Sequence, residues 1–206
     1  MGPDRQRGEE SAPHRSTTVL LIIDMISDFE FEGGERLFKH ALPAARNILR
    51  LKTRARAARI PTIYVNDNFG QWRSDFRQLV QRCLDAEVRG TPIASLLAPS
   101  DDDYFVLKPA NSGFFSTPLR TLLQLVGAHT LIMTGVSSNQ CVLFTAADAY
   151  VRNYRIVIPR DCVAAGKPGD NKLALDYFRT VLKADVRSSA RIELKRTGRR
   201  SRPPGT

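Results

Sequence analysis

Residues 130–153, TLIMTGVSSNQCVLFTAADAYVRN, join an apolar run, a short polar passage and an apolar helical segment. The run TLIMT (130–134) has the length and composition of a strand covered on both faces, and Gly135 ends it. The passage VSSNQ (136–140) then leads into a helix expected from near Cys141 to about Asn153. Ser138 or Asn139 is the expected N-cap, because a short side-chain oxygen there can accept from free amides of the first turn.

The same order of strand, turn and helix recurs on either side. TVLLII (18–23) is an apolar run that stops at Asp24. A helix is expected over 43–59, with Ala44, Ile48, Leu51, Ala55 and Ala58 at helical spacing and Pro43 near its start. Residues 61–65 predict a second strand, followed by Asn66 and Asp67. Segment 74–89 is expected to be helical, and Thr91 and Pro92 open a further short piece. YFVL (104–107) is a third strand ending at Lys108, followed by the loop PANSG (109–113) and a helix over 118–126. RIVIP (155–159) predicts a fifth strand, 170–183 a helix, and 185–187 or 190–194 a sixth strand. Such alternation argues for an α/β protein, a mainly parallel sheet with helices on both faces, whose sites form at the carboxyl ends of the strands.

Composition narrows the class. An apolar fraction of 42% and a charged fraction of 25% over 206 residues are ordinary for one globular domain. No apolar run approaches the ~20 residues that cross a membrane, and the first seventeen residues have no apolar core of a secretory signal. Three cysteines, at 83, 141 and 162, form no disulfide framework and point to a reducing, cytoplasmic compartment. Of the net charge of +10, half lies in the acid-free segment 195–206, expected with 1–17 to be a disordered tail around a domain over 18–194. A second basic cluster, Arg46, Arg50, Lys52, Arg54, Arg56 and Arg59, reads as a solvated helix face. No aromatic residues interleave these charges, so no specific nucleic-acid partner is expected. No glycine-rich nucleotide motif follows a strand.

Asp24, Lys108 and the passage before Cys141 each follow an apolar run directly, so one edge of the sheet is expected to carry all three. A cysteine among apolar neighbours is ordinarily a small buried hydrophobe. At a helix N-terminus, however, the dipole favours the thiolate and the free amides can hold an oxyanion. Asp24, at the rim of an apolar pocket, is expected to have a raised pKa and to serve as base or acid. Lys108 is either a surface lysine at a strand end or a cation that holds Asp24 and the thiolate charged and oriented. A cysteine nucleophile needs both a base and a charge-balancing partner.

The segments LLIIDMISDF (20–29), VLKPANSGF (106–114) and LIMTGVSSNQCVLFTAADAYVRNYRIVIPRDCVAA (131–165) resemble the three signature regions of the isochorismatase-like cysteine hydrolases. The resemblance extends over residues 18–194. It implies a three-layer α/β/α fold with a six-stranded sheet and a triad of Asp24, Lys108 and Cys141. It also implies a cis Val136–Ser137 peptide and an oxyanion hole made by the amides of Ser137 and Cys141. The implied activity is C–N cleavage of a small amide, carbamoyl or ureido compound through a thioester on Cys141. The alternatives are a non-catalytic binding or assembly protein of the same fold, or a basic nucleic-acid-associated protein. A homo-oligomer without membrane contact is expected.

The chain departs from the metal-binding nicotinamidase branch: VNDNFGQW (65–72) keeps Asp67 but has no histidine beside it, and His14, His40 and His129 are placed in a tail, a loop and a pre-strand turn. No metal or other cofactor is expected. Phe29, Trp72, Phe114 and Phe115, on loops near the reactive edge, are candidate substrate-binding residues that either sandwich a flat or acyl substrate or pack the loops themselves.

Overall fold

A computed structural model describes residues 15–68, 70, 75–85 and 88–195. Its strands are β1 (Thr18–Ile23), β2 (Thr62–Asp67), β3 (Tyr104–Lys108), β4 (Thr130–Val136), β5 (Arg155–Val157) and β6 (Val163–Ala164). They form one parallel sheet in the order β3-β2-β1-β4-β5, with β6 beside β4. The helices are α1 (Gly34–Ala57), α2 (Phe76–Asp85), α3 (Thr91–Leu96), α4 (Leu119–Val126), α5 (Cys141–Val151) and α6 (Pro168–Thr180).

Residues 19–23 of β1 are all buried, which is why the run carries no polar alternation. Their side chains still alternate between faces. Leu20 and Ile22 pack with α1, α2 and α3, whereas Val19, Leu21 and Ile23 pack with α4, α5 and α6. Three layers result. Each fully buried Leu or Ile contributes roughly 1.5–3 kcal/mol relative to exposure, so the central strand is a principal anchor of the fold.

The sixth strand is not at 185–187 or 190–194. Asp185 makes only an isolated bridge to Val157, and Ser189–Arg191 is a 3₁₀ turn. Instead the fifth strand stops at Val157, short of Pro159, and a turn closes with the Cys162 amide donating to the Pro159 carbonyl at 2.9 Å. The chain then rejoins β4 further along, where Val163 and Ala164 pair with Gly135 and Val136. A proline cannot donate to the ladder, so it interrupts the strand where it stands.

Helix α1 begins nine residues before the expected start, at Gly34, and Pro43 lies inside it. Leu37 and Ala41 extend the buried stripe of Ala44, Ala45, Ile48, Leu51 and Ala55 by two turns, and that packing outweighs the one hydrogen bond the proline removes. His40 is therefore helical rather than in a loop. Two of the basic residues assigned to a solvated face are engaged. Lys52 is buried in an ion pair with Asp103 at 2.7 Å, and the Arg54 guanidinium donates to the carbonyls of Ser189 and Ile192. Of the expected tails, 1–14 and 196–206 lie outside the described residues, while Ser16 is buried and its amide donates to the Val126 carbonyl at 2.9 Å. Among the described residues, no helix is long and apolar enough to cross a membrane.

Candidate active site

From β1 the chain proceeds to β2 and β3 on one side; from β4 it proceeds to β5 and β6 on the other. The boundary between β1 and β4 is thus a topological switch point, where the carboxyl ends of an open parallel sheet leave a crevice. Gly135 pairs with Ile23 at this boundary. Its φ is 113°, and a Cβ there would lie 2.0 Å from the Ile23 carbonyl oxygen, so glycine lets the two strand ends approach.

Asp24 follows Ile23 with a left-handed φ of 51°. Its amide donates to the Val65 carbonyl, and its Oδ1 accepts from the Asp67 amide at 2.7 Å. The fully buried Asn66 donates to the Ile26 carbonyl at 2.6 Å, pinning the segment beyond Asp24. Lys108, at the end of β3, is fully buried and brings the cluster together. Its Nζ lies 2.9 Å from Asp24 Oδ2, 3.4 Å from Cys141 Sγ and 3.5 Å from Asp67 Oδ2. The Cys141 thiol is also a hydrogen-bonding partner of the Asp24 carboxyl group.

Burial dominates the electrostatics. It raises Asp24 above the usual carboxylate range, with the Lys108 charge opposing the rise. Burial also works against the Lys108 ammonium, but Asp24, Cys141 and Asp67 outweigh it, and the pKa stays above the usual lysine value. The Cys141 thiol is pushed up to about 12, by burial first and by the Asp24 charge second, with Lys108 pulling down. This corrects the thiolate expected from the helix dipole. A carboxylate in contact outweighs the partial charge of a helix end, so the surroundings favour the thiol form of Cys141.

The Val136–Ser137 peptide is cis. Neither Ser138 nor Asn139 caps α5. The N-cap is Gln140 and makes no side-chain bond, while Ser138 is buried with its amide donating to the Ala164 carbonyl at 2.7 Å. The Gln140 and Val142 amides donate to the Ser137 carbonyl at 3.0 and 3.2 Å. Among the described residues, the amides of Ser137 and Cys141 have no acceptor.

Two of the candidate aromatic residues pack the core and do not face a substrate. Phe29 is fully buried, stacked on Phe31 and edge-on to Phe38 in the α1 layer. Phe114 is 7% exposed, with the Arg152 guanidinium 4.9 Å over its ring. Both rings fill core rather than face a ligand. Phe115 is 59% exposed, and Trp72 lies outside the described residues. Two polar residues without a role in the sequence reading stand in the cluster instead. Asp67 contacts Lys108, and Asn111 Oδ1 lies 3.8 Å from Cys141 Sγ. Their signal was positional: each sits within three residues of the end of a strand on the reactive edge.

The donors do not fit a metal site of the nicotinamidase kind. Asp67 faces the Lys108 ammonium, His40 is on α1 and His129 precedes β4. No group of three or more His, Cys, Asp or Glu that could hold a metal ion occurs among the described residues. The arrangement can pass a proton between a thiol and a carboxylate beside a fixed cation.

Fold and sequence together define the class: this is an isochorismatase-like hydrolase fold. The isochorismatase domain family model matches residues 18–190, and the chain belongs to that family. It is similar to an uncharacterized isochorismatase family protein of Bacillus subtilis, YaaI, at 42% identity over 86% of this chain and 97% of that protein. It is 31% identical to a probable inactive nicotinamidase of Arabidopsis thaliana, over 73% of this chain and 82% of that one. Among solved structures, the N-carbamoylsarcosine amidase of Thermoplasma acidophilum superposes with a TM-score of 0.66 at 28% identity, covering 86% of this chain and 99% of that chain.

Proposed function

We propose that the protein is a cysteine hydrolase that cleaves the C–N bond of a small amide, carbamoyl or ureido compound. One observation carries the reading: a buried ammonium within 3.4 Å of a thiol and 2.9 Å of a carboxylate, beside two amides without acceptors. In the proposed sequence, Asp24 takes the Cys141 proton as Sγ forms a bond to the substrate carbonyl carbon. The carbonyl electron pair moves onto oxygen, and the amides of Ser137 and Cys141 hold that oxyanion. Loss of one such donor typically costs on the order of 10²-fold in rate. The tetrahedral species collapses, the C–N bond breaks, and the leaving nitrogen takes the proton from Asp24. Water then loses a proton to Asp24 and adds to the thioester. The acid product departs, and the sulfur recovers its proton.

Lys108 opposes the rise that burial gives Asp24 and offsets charge near the sulfur as the proton leaves. The name of the Thermoplasma relative, an N-carbamoylsarcosine amidase, supports a carbamoyl or related amide as substrate. Ammonia release from a panel of primary amides, carbamoyl compounds and ureides tests the proposal. Turnover lost in Cys141→Ala supports it; near-normal turnover in that variant refutes the nucleophile. The raised thiol pKa favours the second reading, a non-catalytic protein that binds or assembles through this fold. No turnover on the panel, with no substrate-derived mass on Cys141, supports that reading.

We also infer that copies associate through the outer faces of the neighbouring helices α5 and α6. Phe144, Tyr150 and Val151 on one, Leu173 and Tyr177 on the other, and Val181 just beyond it are large apolar side chains between 43% and 70% exposed. Light scattering after size exclusion tests this; a monomer at micromolar concentration refutes it.

A further inference from the structure

We propose that Asn111 is a specificity-determining residue of this site, one that accepts a hydrogen bond from the N–H of a bound amide. The inference rests on the proposed hydrolase reading and names what that site selects: amides bearing an N–H over the matching esters. Asn111 is exposed, yet its carboxamide oxygen lies 3.8 Å from Cys141 Sγ, on the nucleophile itself. Its amide nitrogen has no partner among the described residues. An exposed asparagine on a surface loop is ordinarily free to swing away. Here the two residues that follow it are tied to the helix that carries the thiol.

The next two residues are stitched to α5. The Gly113 amide donates to Thr145 Oγ1 at 2.9 Å, and the Ser112 hydroxyl donates to Asp148, which also pairs with Arg152. Thr145 in turn donates to the Cys141 carbonyl at 2.7 Å. A Cβ at position 113 would meet the Val65 side chain at 2.7 Å, so the loop lies flat against the sheet. Asn111 and Cys141 are thus fixed to one helix, with Thr145 bonded to both of their segments.

The chemistry gives that oxygen a use. In the resting state it is, with Asp24, one of two acceptors that the single thiol S–H can face. When Asp24 takes the thiol proton and the S–C bond forms, the oxygen loses its donor and faces a sulfur that is gaining charge. A substrate N–H at the same carbon supplies a new donor at that moment. An ester oxygen supplies none and sets a third acceptor against the first two. The contact therefore strengthens as the reaction proceeds, which is the condition for raising a rate rather than only tightening binding.

The test needs no natural substrate. The rate of Cys141 modification is followed by intact mass and peptide mapping with three reagents: iodoacetamide, methyl iodoacetate and methyl methanethiosulfonate. The native protein should favour iodoacetamide over its ester analogue by more than free cysteine does. Asn111→Ala and Asn111→Leu should each lower the iodoacetamide rate about 3- to 10-fold, the scale of one neutral hydrogen bond. Both should leave the methyl methanethiosulfonate rate within about twofold, which reports an intact thiol environment. Asn111→Gln should restore part of the preference. An unchanged preference in both variants, or an equal loss with all three reagents, overturns the proposal. The hydrolase reading fails separately, if the native protein labels selectively yet releases no ammonia from the amide panel.

Discussion

The molecule buries two lysines, and they differ in what surrounds them. Lys52, on α1, is closed in by fixed partners: Asp103 at 2.7 Å, the Tyr64 hydroxyl at 2.8 Å and the Ala98 carbonyl at 3.3 Å. The Tyr64 hydroxyl donates onward to the Leu97 carbonyl at 2.6 Å, so every group there has a stationary mate. Lys108 has two carboxylates and a thiol at 2.9–3.5 Å, and that thiol carries a proton that can move. One cluster ties α1 to the α3 end and the turn before β3. The other sets one ammonium among two carboxyl groups and a thiol. A saturated buried ion pair locks geometry, while a shared one leaves chemistry available.

Removing the nucleophile gives the sharpest contrast. Cys141→Ala should lower turnover by on the order of 10³-fold or more while the thermal midpoint stays near that of the native protein; a fall in midpoint with retained turnover would reverse the comparison. Lys108→Met should come next. It leaves Asp24 buried without its cation, so stability should fall by about 3–5 kcal/mol, and the folded fraction should also lose about 10²-fold in kcat/KM. Lys52→Met strands Asp103 in the same way and should cost about the same stability. Its kcat/KM per folded molecule should nevertheless stay within about twofold. Urea unfolding beside steady-state rates separates the two lysines; equal rate losses would mean that both clusters serve the chemistry.

The pH profile sharpens the same point. With Asp24 raised above its ordinary 3.8, kcat/KM should climb only above that pH as the carboxylate ionises. It should then stay flat past about pH 9, because the thiol sits at about 12. In Lys108→Met the residual acid limb should move to higher pH, since the ammonium that was lowering Asp24 is gone. Stability has the matching sign. A folded value above the unfolded one means that the contribution of Asp24 is complete below pH 3.8 and is lost as pH rises through its folded value. Asp24→Asn should flatten that portion of the stability curve. The smallest expected effect is that of a chelator. It should leave the rate unchanged, and a strong loss would give Asp67 a metal after all.

The central strands were legible because burial on both faces leaves an uninterrupted apolar run, as in 18–23 and 130–134. That Asp24, Lys108 and Cys141 would gather was legible because Asp24, Lys108 and the passage leading to Cys141 each follow such a run and, in a parallel sheet, those ends share an edge. The start of α1 was missed because Pro43 is a strong local signal that non-local packing of Leu37 and Ala41 overrides. The sixth strand was missed because two residues carry no periodicity. Phe29 and Phe114 were misplaced because an aromatic on a loop has the same sequence signature whether its ring turns inward or toward a ligand.

The amino-acid order by itself determined the layer architecture and the edge on which reactive groups gather, since both follow from local hydrophobic pattern and chain direction. Only the tertiary structure decided the surroundings of those groups: which proton partner Cys141 faces, that burial raises its thiol pKa, and that Asn111 stands beside it. Those properties depend on distances of a few ångströms and on desolvation by residues far away in the chain, and no local pattern encodes either.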